Sequence, residues 1–514
     1  MTDMKLRVFA LVTAFLLLLT MTACGKDPVT SDSASSLEQN DSGISSDVMG
    51  DNTTDAGDTN SDAIDPDAST TTLGGLLNTT AQNNGNSNKK TQKTTSKTTV
   101  KTQKLESGEI DTPQEKKFLS LKGKTVTVCT ETPYDTFNDD TKSFYASMEK
   151  KYGVKLDWMV LTGSEQQTKI GQLVAAGDAP DLCYSSYVLF LRYVYGNVIQ
   201  SMEPYIDKTD PIWKVNPWTL SMYDHGGTLY SLPYAGSCGA YMVYYNKTMF
   251  EENNQKTPSE YYKEGKWNFE NFLKCAKAMT LYRDDGVTVK TFGCSVPVPM
   301  VFCLANGEPG LTVDKNGDMK VSIDSKAGMA GLQLLSDLYA GGYCGDGNFA
   351  QRKVSMAIDR PEYLVYNNDL YNTMEDEIGM VPMPTGTTGK QYAPMGIDGY
   401  AIPRNCKNPL GGMMVIYESY VKTQNQYYDT IENGATPERV EQRRQIMSDE
   451  HMKIYKDYVS NATPCFTNLE SLAGWWDAGY KGDFWKSIYA GKSPAAAIDS
   501  MKSVLNSAIE RTAG

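Results

Sequence analysis

The chain has 514 residues and a formal net charge of −13, which argues against nucleic acid as a partner because phosphate binding needs concentrated Lys and Arg. It has ten cysteines, none in a Cys-x-x-Cys spacing, so the common zinc and dithiol-redox arrangements are absent. Two histidines and no serine-nucleophile elbow leave most hydrolase chemistries without their parts.

At the N-terminus, Lys5 and Arg7 precede an apolar run from Val8 to Leu19. That run is far shorter than the roughly 20 residues a membrane-spanning helix needs, and residues 1–23 read as an export signal. Ala23-Cys24, followed by Gly25-Lys26-Asp27, resembles the bacterial lipobox, with Met21 where Leu is usual. The resemblance makes Cys24 the lipidated residue; the alternative is an ordinary cleaved signal with a chance cysteine. Residues 24–118 are rich in Ser, Thr, Asn, Asp, Gly and Lys, acidic first and basic from Lys89 to Lys104. Such a segment cannot offset its ordering entropy and is expected to be a flexible tether with a reach on the order of 50 Å.

The remainder, 119–514, is long and apolar enough for one large or two medium cores. Lys124 to Thr130 alternates as a strand, and Asp139 or Asp140 is placed to cap a helix that stops near Gly153. Val154 to Leu161 reads as a second strand, Ser164 to Ala176 as a second helix, and Asp181 to Ser185 as a third strand after the Gly177-Asp-Ala-Pro180 stop. This β-α-β-α-β order predicts an α/β fold with a mostly parallel sheet and helices on both faces. Ligands in such sheets bind at the carboxyl ends of the strands, which directs attention to Glu131, Pro133, Tyr134 and Asp135 after the first strand and to Tyr184, Ser185, Ser186 and Tyr187 after the third, with Tyr184 itself read as buried at the strand end. Cys129 and Cys183 sit in apolar strands and read as small buried hydrophobes.

Gly171-Gln-Leu-Val-Ala-Ala-Gly-Asp-Ala-Pro-Asp-Leu-Cys-Tyr-Ser185 resembles the helix, turn and strand of extracellular solute-binding proteins of family 1, the substrate-capturing lipoproteins of ATP-driven sugar importers. Further similar segments follow in the family's order. They are Gly226–Tyr234, Tyr241–Phe250, the helix start at Trp267-Asn268, a hairpin from Leu311 to Asp324, Val354–Pro361, Ile378–Pro384 and Met395–Pro403. The resemblance covers roughly residues 122–514. It implies a two-lobed, periplasmic-binding-protein-like type II clamp joined by a hinge, with each lobe expected to carry a mostly parallel sheet flanked by helices. Lobe 1 would take about 119–243 and 402–460, lobe 2 about 244–401, and helices from 461–514 would pack across both.

What the resemblance implies for function is a carbohydrate ligand, permease subunits of an ABC importer as partners, a lipid anchor, a monomeric state, and neither cofactor nor metal. Sugar recognition needs flat rings against C–H faces and planar polar groups for hydroxyls. The candidates are Tyr134, Ser185, Tyr234, Asp359, Arg360, Glu362, Asp398 and the pair Trp475-Trp476. Arg360 can fork to two hydroxyls or pair with Asp359, and Asp398 stands between Gly396 and Gly399 as ligand contact or turn residue. Each tryptophan is a stacking ring or a packing residue between lobes. Val188 and Leu189 stand about where maltodextrin binders carry a charged pair, so a maltodextrin is not the default ligand. An exported polysaccharide-acting enzyme, or a sensor or adhesin subunit, is the rival reading.

Overall fold

The computed structural model describes residues 112–214, 218–234, 239–360, 374–396, 398–423, 449–473, 475 and 480–513. The export signal, Cys24, the tether up to residue 111, Glu362 and Trp476 lie outside these residues. The folded body starts earlier than composition suggests, because Pro113–Phe118 is a helix rather than part of the tether. Thr112 and Glu115 form a reciprocal capping box, Pro113 opens the first turn, and Phe118 is wholly buried. Edge-on contacts from Phe118 to Tyr152 and Tyr417, at 5.6 and 5.5 Å, plug it into the first core.

The first sheet opens with Thr125–Thr130 parallel to Lys155–Val160, Thr125 opposite Lys155. Between them runs the helix Asp139–Tyr152. Its cap is Asn138, whose Oδ1 accepts the Thr141 N–H at 2.8 Å, so Asp139 and Asp140 lie in the first turn and favour the helix dipole instead. Gly153, at φ 66°, ends that helix. Thr162 and Glu165 box the start of Gly163–Ala176, after which Val128 and Leu182 bridge in parallel and lead into Cys183–Ser186. The late strand Asp398–Ala401 then inserts between Cys183–Ser186 and Ser231–Pro233, antiparallel to both.

The second sheet centres on Met242–Asn246, flanked antiparallel by Met356–Asp359 and Ile378–Pro382. The central strand Met242–Asn246 is buried throughout, and so is its flanking partner Ile378–Pro382, against which the helix Asp449–Asn461 packs. Gly379 faces Tyr245 in the ladder; any Cβ there would come within 2.0 Å of the tyrosine ring. Parallel bridges Phe292–Val354 and Ser295–Ala357 extend the sheet beyond Met356–Asp359. Both sheets are therefore mixed, not mostly parallel. The strands that carry the chain between sheets run against those they join.

The helix Asp449–Asn461 packs on Ile378–Pro382, so it goes with the second sheet and not with the first lobe, where the sequence division at 402–460 placed it. Helix periodicity shows that a face is buried but not which sheet receives it. The last helix, Pro494–Ala513, touches the helix Phe190–Tyr195 of the first half and the hairpin strand Met319–Val321 of the second.

Candidate functional site

The polar residues gather where the chain passes between the sheets. Asp398 opens the inserted strand opposite Ser186 and is 7 % exposed. Its Oδ1 accepts the Tyr184 hydroxyl at 2.5 Å, and its carbonyl accepts the Tyr234 N–H at 2.8 Å. Burial pushes the Asp398 carboxyl above the usual range, while the Tyr184 hydrogen bond and the Arg360 charge pull it down. The Tyr234 ring lies 4.2 Å from Tyr400 and 5.9 Å from Tyr184, so three phenols cluster beside this carboxylate.

From the second sheet, Met356–Asp359 delivers Asp359 and Arg360 at its end, where Asp359 Oδ1 accepts the Arg360 N–H at 2.7 Å. Burial pushes the phenols of Tyr187 and Tyr241 up, Glu470 and Asp398 push the same way, and Arg360 pulls both down. Electrostatics thus links the loop after Cys183–Ser186, the entry to Met242–Asn246, the end of Met356–Asp359 and the turn Leu469–Ser471. The neutral phenols supply donors and acceptors, the carboxylates accept, and Arg360 offers a planar fork of donors.

Of the residues named from sequence, Arg360 lies within electrostatic reach of Asp398, Asp359 adjoins Arg360, and Tyr234 packs beside Asp398. Ser185 does not share their face. Strand alternation puts Tyr184 and Ser186 on the Asp398 side, whereas Ser185 lies opposite Gly399, and its carbonyl accepts the Tyr223 hydroxyl at 3.4 Å. Tyr134 stacks on Trp158 at 5.1 Å with 20° between the rings, in the first core's aromatic group rather than beside Asp398. Trp475 is 2 % exposed, 6.2 Å from Phe484, and belongs to the packed core. Sequence reasoning pointed to the loop that carries Tyr184 and Tyr187 but read Tyr184 as buried at the strand end rather than as a partner of Asp398, and it missed Tyr241 and Glu470 as parts of the site. Period-two alternation from Asp181 could have assigned Tyr184; nothing local marks Glu470, which arrives from the far end of the chain.

Two mixed sheets joined by crossing strands, with phenols, carboxylates and a guanidinium at the crossing, define a two-lobed binding protein of the type II class. The model of the bacterial extracellular solute-binding protein family matches residues 131–413, and the chain belongs to that family. No curated protein matches it in sequence. An ABC substrate-binding protein of Listeria monocytogenes in complex with cycloalternan is similar at 15% identity, with a TM-score of 0.54, over 75% of this chain and 99% of that one. The extracellular solute-binding protein of Staphylococcus aureus in complex with maltose is similar at 17% identity and TM-score 0.53, over 75% of this chain and 98% of that one. The galacto-N-biose/lacto-N-biose I-binding protein of a Bifidobacterium longum ABC transporter, with lacto-N-biose, matches at 14% and 0.54, over 76% of this chain and 97% of that one. At these identities the likeness carries the fold.

Proposed function

We propose that the protein captures a carbohydrate, an oligosaccharide, at the crossing between its lobes and delivers it to the permease of an ABC importer. The observation that carries this reading is the convergence of Tyr184, Tyr187, Tyr241, Arg360 and Asp398 from both sheets at the strands about which a clamp would bend. The saccharides held by the three structural neighbours support the same ligand class. Tyr234, Asp359, Arg360 and Asp398 are the contacts expected inside the cleft. Glu362 and Trp476 are proposed to complete it, and Tyr134, Ser185 and Trp475 to support it from the packed side.

The protein works as a monomer without cofactor or metal. It is held by a lipid on Cys24 at the outer face of the cytoplasmic membrane, with the tether letting the clamp stand off the bilayer. Cys24→Ser is expected to move the protein from the membrane fraction to the medium; retention on membranes would overturn the anchor. Binding without turnover is tested by incubating a bound oligosaccharide with the protein for hours and chromatographing it. Intact ligand is expected, and shortened products would make the protein an exported enzyme.

A further inference from the structure

The described cysteines are all free thiols, and two of them face each other. Cys294 and Cys344 form a parallel β-bridge. Backbone hydrogen bonds close it on both sides: the Cys294 N–H donates to the Tyr343 carbonyl at 3.0 Å, and the Gly345 N–H donates to the Cys294 carbonyl at 3.1 Å. Residues paired in this way project to one face, and adjacent strands run about 4.7–4.9 Å apart, inside the roughly 4.4–6.8 Å Cα separation that a disulfide spans. Both residues are buried, Cys294 wholly and Cys344 at 6 % exposure. Cys129 and Cys183, by contrast, stand one step beyond the Val128–Leu182 bridge rather than in a bridge of their own.

We propose that Cys294 and Cys344 are a cross-linking site, joined as a disulfide when the chain folds in an oxidising extracellular medium. The oxidant is a low-molecular-weight disulfide. One cysteine thiolate attacks it, releasing one small thiol and leaving a mixed disulfide; the second thiolate then attacks the protein sulfur of that bond and releases the other small thiol. Both cysteine protons pass to solvent or to the released thiolates, the two protein sulfurs are oxidised, and the small disulfide is reduced. Burial of Cys294 opposes its thiolate in the folded protein, so the bond forms during folding and afterwards resists exchange. The setting fits, because disulfides persist outside the cell and this family is extracellular.

The staple would close a loop holding the helices Val301–Ala305 and Lys326–Ala340. It would also fix the segment whose next residue, Ser295, bridges Ala357 in the strand that ends at Asp359. Its effect is on the stability of the second lobe, through restriction of the unfolded chain.

The test is to refold the full chain with a mixture of oxidised and reduced glutathione and to map its peptides without reduction. The proposal expects an intact mass lower by two hydrogens per bond and a peptide pair joining Cys294 to Cys344. It also expects a thermal midpoint that falls on reduction. Cys129→Ser should keep the link, and Cys294→Ser should lose it along with the reduction-sensitive part of the midpoint. Both thiols alkylated after denaturation, or either cysteine joined to a different partner, would overturn the proposal. The wild-type map decides this even where a variant fails to fold.

Discussion

At the residue scale, the Tyr184–Asp398 hydrogen bond tests the site most sharply, because it joins a phenol read as packing to a carboxylate read as binding. Tyr184→Phe removes a hydrogen bond to a buried charged group, an interaction worth about 1.5–3 kcal/mol. Urea unfolding should show a loss of that size, and an unchanged midpoint would mean the bond contributes nothing. The carboxyl of Asp398 has its folded value raised above the unfolded one, so its burial is least costly at acid pH and weighs more as pH rises through that value. The two adjacent tryptophans should separate in the same way. Trp475→Ala empties a packed position and should cost about 3–5 kcal/mol of stability. Trp476→Ala should instead weaken sugar binding by about one to two decades, roughly 1.4–2.8 kcal/mol. Equal affinity after that change would remove Trp476 from the site.

At the scale of elements, the helix Pro113–Phe118 shows how an N-terminal segment is fastened. Lys151 bridges Glu115 at 2.6 Å and Glu418 at 2.9 Å, and the Tyr152 hydroxyl donates to Glu418 at 2.5 Å. Burial works against the Lys151 charge, but its bonds to the two glutamates outweigh that and raise its pKa. Its contribution is therefore complete below the unfolded lysine value and lost as pH rises through the folded one. Lys151→Ala strands two largely buried carboxylates and should cost about 3–5 kcal/mol at neutral pH. Urea midpoints of the variant and the parent at neutral pH would show it, and an unchanged midpoint would contradict the network.

Local signals made much of this architecture legible. Asn268 caps Phe269–Ala278, and Thr125–Thr130, Lys155–Val160 and Gly163–Ala176 fall where alternation, helical period and glycine stops place them. The capping box at Thr112-Pro-Gln-Glu115 was equally visible, yet the polar composition around it argued for tether. What the sequence could not supply was pairing at a distance. Nothing local makes Asp398–Ala401 the partner of Cys183–Ser186, or sets Glu470 within electrostatic reach of Tyr187.

At the scale of the whole molecule, sites on two sheets joined by crossing strands respond together, so a ligand held at the crossing should stabilise the folded chain as a unit. Mass action sets the size: a ligand that binds only the folded state, at a hundred times its dissociation constant, adds about 2.7 kcal/mol. The most direct measurement is thermal unfolding of the purified chain against a panel of mono- and oligosaccharides. The account predicts a saturable rise in midpoint with at least one oligosaccharide, and a smaller rise at the same concentration for Arg360→Ala. A well-folded protein whose midpoint no saccharide moves would contradict carbohydrate capture and point to a ligand of another class.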